Sequence, residues 1–162
     1  STGTLPKHDE PGEDMMISSV PNAVVLYNPV LITAEAKGLK TFGGDRLERL
    51  KKRLGVEDPT TLSPYHNIRK GLPSALVIHG RVDTTVPFLT AEMFVKQSVK
   101  AGLRSELDGY DDMPHGFFNL GRYDNKMFLA TVTRMHEFLK SLGYVKGKPT
   151  VDRFLKRLAK GK

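Results

Sequence analysis

The sequence predicts an α/β fold, with a parallel sheet of about three strands flanked by helices. Strand-like and helix-like stretches alternate along the chain, and the links between strands exceed a dozen residues, long enough for the crossovers that parallel pairing needs. The stretch Ala75 to His79 is an unbroken apolar run that stops at His-Gly, as expected of a strand covered on both faces.

Up to about Val20 the chain is rich in Pro, Gly, Asp and Glu and reads as an exposed loop. Ala23 to Tyr27 is a short apolar run stopped by Asn28-Pro29, the pattern of a central strand ending at a loop. Asp45 is placed to cap a helix through Leu47, Leu50 and Leu54, with Gly55 as its stop. Asp58-Pro59 opens another turn, and Leu62 to Arg69 reads as irregular. Gly71-Leu72-Pro73 leads into the second strand, Ala75 to His79. Pro87 suits the first turn of the next helix, where its missing N–H has no partner to lose.

That helix should turn Ala91, Phe94, Val95 and Val99 inward before Gly102 ends it. Ser105 to Tyr110 reads as a third, more exposed strand. A loop from Asp111 to Asn119 follows, then a longer helix with Met127, Phe128, Val132, Met135, Phe138, Leu139 and Leu142 on its apolar stripe and Gly143 as its stop. Val151 to Lys160 is a basic amphipathic helix. Three strands with an exposed edge make a thin sheet, which predicts that the chain is part of something larger. No internal repeat or low-complexity tract is present.

At 162 residues the chain is one ordinary domain long, able to bury roughly two thirds of its unfolded surface. Hydrophobic residues at 39% and charged residues at 27% exclude a disordered class. No apolar run reaches the length of a membrane span, and the first residues show no signal peptide. The absence of cysteine excludes disulfides, thiolate metal sites and a cysteine nucleophile in this chain. The net charge of +7 is concentrated in Leu47 to Arg53 and Lys146 to Lys162. Both stretches read as amphipathic helices with solvated basic faces, and no aromatic residues interleave them as a nucleic-acid site requires. Glycine-rich phosphate loops are missing, so nucleotide binding is not expected and no cofactor is implied.

Asp83 falls in the loop after the second strand and His115 in the loop after the third, at the sheet edge where open α/β folds do their chemistry. An aspartate aimed at Nδ1 of a histidine holds the ring in the tautomer that accepts a proton from a serine. Taken singly, an Asp after a strand is more often a cap and a loop His more often a packing residue. Their joint occurrence, within His79-Gly80-Arg81-Val82-Asp83-Thr84-Thr85-Val86-Pro87 and Pro114-His115-Gly116-Phe117-Phe118, favours catalysis. A metal held by His79, Asp83 and His115 is the weaker alternative, because a ring at the end of a buried strand usually bonds to nearby backbone and no paired-ligand spacing supports zinc. His8, His66 and His136 read as surface or packing residues. Phe117 and Phe118 are open to two roles, lining an acyl pocket or packing the core.

These two motifs, with Asp9 to Asp14, Pro21 to Val30 and Leu62-Ser63-Pro64 in the same order, resemble the C-terminal half of the α/β-hydrolase family, in its esterase/lipase-like branch with the acetyl-esterase and feruloyl-esterase-like enzymes. The resemblance implies residues 1–162 as the C-terminal part of one α/β-hydrolase domain, with 1–20 a loop and 146–162 a basic tail helix. It implies Asp83 as triad acid and His115 as general base, acting on a small-molecule ester such as an acylated carbohydrate. Arg81 departs from the pattern, since a smaller residue is usual beside the acid. No G-x-S-x-G occurs, and no His-Gly-Gly run supplies an oxyanion donor. Ser1, Ser18, Ser19, Ser63, Ser74, Ser98, Ser105 and Ser141 are nucleophile candidates only by type, and the resemblance puts the nucleophile serine, with Thr2-Gly3-Thr4 ending its helix, in a half absent from this chain. The isolated chain is then expected to be inactive. The alternative is a non-catalytic assembly module that pairs with another polypeptide through its sheet edge.

Overall fold

The computed structural model describes residues 20–39 and 45–161, together with Gly12, Met16 and Ser18. The expectations for the opening loop, for His8 and for Thr2-Gly3-Thr4 fall almost wholly outside these residues. Three strands form one parallel sheet in the order β1 (Ala23–Tyr27), β2 (Ser74–Gly80), β3 (Ser105–Tyr110). Val25 lies opposite Leu76, and Leu76 opposite Glu106, so β2 is central and its partners start in step with it.

Side chains alternate across β2, which builds two cores from one apolar run. Val77 points toward helix α2 (Phe88–Lys100) and packs with Leu31, Ile32, Ala91 and Phe94. Leu76 and Ile78 point the other way and pack with Phe117 and with Phe138 of helix α3 (Lys126–Ser141). Leu76, Val77 and Ile78 are fully buried, as the continuous apolar run predicts for a strand covered on both faces. β3 is half-buried along most of its length, with Arg134 of α3 paired to Glu106 on it.

The helices follow the sequence expectation with two corrections. Pro87 is not inside the first turn of α2 but is its cap residue, in extended conformation, and its carbonyl accepts from the backbone and hydroxyl of Thr90. Val99 is 54% exposed rather than inward. The buried stripe runs through Thr90, Ala91, Phe94 and Ser98, and the residue after Ser98 is rotated about 100° off it. Thr131 of α3 is fully buried, and its hydroxyl is satisfied by donating back to the Met127 carbonyl, 2.9 Å away. Both α2 and α3 close with a glycine at positive φ, Gly102 and Gly143, as their spacing predicts.

The basic helices are both formed. The first spans Asp45–Leu54, beginning at Asp45 itself, whose side chain lies outside the described residues, as do those of Leu47, Leu50 and Leu54. The last spans Val151–Lys160 and packs on α3 through Val151 and a Phe128–Phe154 ring contact at 6.3 Å. Between the first helix and β2, Asp58 caps a short 3-10 turn, Pro59–Leu62. No helix among the described residues is long and apolar enough to cross a membrane.

Candidate functional site

The carboxyl end of β2 and the loop after β3 meet at one point. Beyond Gly80 the chain turns sharply, with Asp83 N–H on the Gly80 carbonyl, and the Asp83 carboxylate then closes the turn on itself. Its Oδ1 accepts the backbone N–H groups of Thr85 at 2.8 Å and Val86 at 2.9 Å. Aspartate is suited to this local closure because its short side chain reaches backbone two or three residues ahead.

The loop after β3 is held against this turn. Arg81 N–H continues the ladder onto the Tyr110 carbonyl, and Val82 N–H donates to the Met113 carbonyl. A β-carbon built on Gly80 would stand 2.0 Å from that Met113 oxygen, so only glycine lets the two loops approach this closely. Gly116, at φ 71, turns the chain after His115, and the next residue, Phe117, is fully buried between Leu76, Ile78 and Phe138. Phe118 packs against Tyr27 at 4.8 Å between ring centres, the two planes tilted by 59°. Phe117 takes the core-packing role and Phe118 lies half-buried against the same cluster; together they anchor the loop that carries His115.

His115 Nδ1 lies 2.8 Å from Asp83 Oδ2. A carboxylate oxygen accepts, so Nδ1 carries the proton and Nε2 is left as the proton acceptor in the neutral ring. The Asp83 side chain is fully buried while that of His115 is 42% exposed, and Nε2 has no hydrogen-bond partner among the described residues. Burial pushes the Asp83 carboxyl up, but the Val86 N–H, the His115 ring, the Thr85 N–H and the charge His115 gains outweigh it and hold the group below its ordinary value. The arrangement can take a proton at Nε2 and stabilise the resulting imidazolium through a fixed anion.

Two further side chains converge on Asp83 Oδ2. His79 is fully buried at the end of β2, its ring edge-on to Phe88 at 5.8 Å. Its Nε2 faces the Val86 carbonyl at 2.9 Å and Asp83 Oδ2 at 3.2 Å; both are acceptors, so Nε2–H donates. The backbone bond expected of a ring in this position is therefore present. The second is Asn28, whose Nδ2 donates to Asp83 Oδ2 at 2.8 Å. The sequence reading gives Asn28 only as a strand stop. The signal that would have found it is register: β1 and β2 run in step to Tyr27 and Ile78, which brings the next residues, 28 and 79, side by side.

Arg81, the departure from the expected pattern, does not reach the acid. Its guanidinium pairs with Asp111 at 2.8 Å and lies over the Phe88 ring. His66 faces the Ser63 hydroxyl and the Glu35 carbonyl, and His136 the Gly147 carbonyl, so both are packing residues as expected. Ser63 is fully buried and also accepts from Thr33 N–H, a structural hydroxyl rather than an exposed nucleophile. Among the described residues no serine is hydrogen-bonded to His115, and no group of three or more His, Cys, Asp or Glu could hold a metal ion.

No family model matches the chain, and no curated protein does. Solved structures do. The native form of esterase 2 from the planctomycete Thermogutta terrifontis, a thermophilic esterase, is 46% identical over 91% of this chain with a TM-score of 0.80. Its propionate-bound form matches at 42% identity and 0.79, and its form phosphonylated by sarin at 44% and 0.82. The chain spans about half the length of these neighbours, from 51% to 53%. Three parallel strands with flanking helices thus match a C-terminal portion of the esterase α/β-hydrolase fold.

Proposed function

We propose that this chain supplies the acid and the base of a serine carboxylic-ester hydrolase, with Asp83 orienting His115 and His115 relaying a proton between a serine hydroxyl and the leaving alcohol. The observation that carries the reading is the 2.8 Å contact between a buried carboxylate and a half-exposed imidazole whose second nitrogen is unengaged among the described residues. The similarity to a thermophilic esterase over 91% of the chain supports the same chemistry. Propionate and butyrate are bound in two of those neighbours, which points to esters with short acyl groups as the substrate class here.

The nucleophile and the oxyanion donors come, in this reading, from a polypeptide segment outside the chain. Attack by that serine on the ester carbonyl sends its proton to His115 Nε2, and Asp83 balances the imidazolium while the tetrahedral oxyanion forms. His115 then returns the proton to the alcohol oxygen as the C–O bond breaks. Removing the triad nucleophile costs several orders of magnitude in rate, so the chain by itself hydrolyses esters no faster than that residual level.

A second reading, a non-catalytic module completed by another polypeptide, is favoured by one feature. Among the described residues β1 pairs only with β2, and an apolar groove of about 160 Å³ on the α2 face of the sheet is lined by Val24, Leu26, Leu31, Phe94 and Leu103. Covalent trapping separates the two. Paraoxon, which phosphorylates one of the neighbours, should label the full product of the reading frame on a serine within G-x-S-x-G outside residues 1–162 of this chain. Labelling of a serine inside the chain would overturn the division of labour, and a reading frame without that motif would favour the module.

A further inference from the structure

Resting on the acid–base reading of Asp83 and His115, we infer that Asn28 is a positioning residue that fixes which oxygen of Asp83 meets the histidine. Asn28 closes β1 in the left-handed region, at φ 43, a conformation asparagine adopts more readily than most side chains. Its backbone N–H donates to the Ile78 carbonyl at 2.9 Å, so the residue is tied to the ends of two strands at once. The side chain is 4% exposed and points at Asp83.

The carboxylate is shared out between two sources. Oδ1 belongs to the turn, held by Thr85 and Val86 N–H. Those two bonds leave the group free to rock about Oδ1, and it is Oδ2 that meets His115 Nδ1. Asn28 reaches Oδ2 from the neighbouring strand, outside the turn, with His79 Nε2 as a more distant companion at 3.2 Å. Asn28 Nδ2 is also 3.4 Å from His115 Nδ1. Both nitrogens are donors, so they do not bond each other; they converge on one oxygen, and the angle between them sets the ring's direction.

The other end of the amide supports this role. Asn28 Oδ1 is buried without a hydrogen-bond partner among the described residues, a cost that an apolar residue of similar size would avoid. Turning the amide over would set Oδ1 against the carboxylate, so the bond to Asp83 alone fixes its orientation. An amide kept at this cost, with its one bond on the acid, is explained by what it does to the acid.

The test follows the His115 ring nitrogens by ¹⁵N NMR across a pH titration of the whole chain, with thermal unfolding recorded alongside as a control for folding. In the parent the neutral ring carries its proton on Nδ1. Asn28→Leu should give a mixture of tautomers while unfolding stays cooperative. Asn28→Ala, which removes the amide without adding bulk, should move the tautomer the same way, and it remains readable if Asn28→Leu does not fold. The inference is overturned if the tautomer is unchanged in both variants while Asp83→Asn alters it. If Asp83→Asn leaves it unchanged as well, the acid–base reading beneath the inference falls instead.

Discussion

The carbonyl oxygen of Met113 occupies the space that a β-carbon on Gly80 would fill, 2.0 Å from its ideal position. Gly80 is thereby the contact through which the Asp83 turn and the His115 loop are set at a fixed separation. Its backbone is not in the left-handed region, so the requirement for glycine is one of space alone.

Gly80→Ala should force the Met113 backbone away, because the obstructing atom cannot rotate aside. A destabilisation of about 1–3 kcal/mol is expected from this overpacking, together with a lengthened Asp83–His115 contact. Urea unfolding and the His115 ring shifts report the two effects. A variant with parental stability and an unaltered ring would show that the loops do not depend on this approach.

Asp83→Ala removes the acceptor for two backbone N–H groups and for Asn28 inside the protein. Buried donors left unpaired cost about 1–3 kcal/mol each, less where water enters, so a loss on the order of 3 kcal/mol is expected. His115→Ala removes one donor from a half-exposed position and should cost less than about 1.5 kcal/mol. Equilibrium denaturation of the two variants should rank them in that order; the reverse order would mean that the carboxylate is not the structural hub.

Acid should remove the same contribution. The folded-state value of Asp83 is lowered, so the unfolded chain takes up the proton first, and stability falls as pH drops. The contribution is intact above the ordinary carboxyl value and is lost as pH falls through the lower folded one. Glu106, lowered by Arg134 and Arg104 against an opposing burial effect, behaves alike. The stability gap between the parent and Asp83→Asn should therefore be constant near neutrality and shrink below about pH 4. A gap that stays constant to about pH 2 would contradict the assigned direction.

The first two strands were legible because each is a compact apolar run that ends at Asn-Pro or His-Gly, and Asp83 and His115 because strand-end motifs carry them. Other features were hidden for physical reasons. Apolar periodicity misses Thr131, a polar residue that satisfies itself within its own helix, and over-extends the α2 stripe to Val99. Asn28 is invisible in one dimension, since its partner lies across a strand pair and depends on register. The same limit applies to Phe117 and Phe118, whose aromatic character fits a pocket or a core until the loop's direction is known.

Core and periphery should separate cleanly. Phe138 is 1% exposed between β2 and the His115 loop, and Phe138→Ala should cost about 3–5 kcal/mol. Phe154, on the last helix, is 42% exposed, and Phe154→Ala should cost less than about 1 kcal/mol. Thermal unfolding of both variants measures the difference, and equal losses would mean that the last helix belongs to the core.

The most direct measurement is kcat/KM for p-nitrophenyl butyrate with the full product of the reading frame, before and after His115→Ala and Asp83→Ala. Each substitution should lower it by about three to four orders of magnitude, and the double variant should fall no further than the worse single one, since the two residues act as a unit. Turnover within about tenfold of the parent after His115→Ala would contradict the assignment of this pair as the acid and base of an esterase.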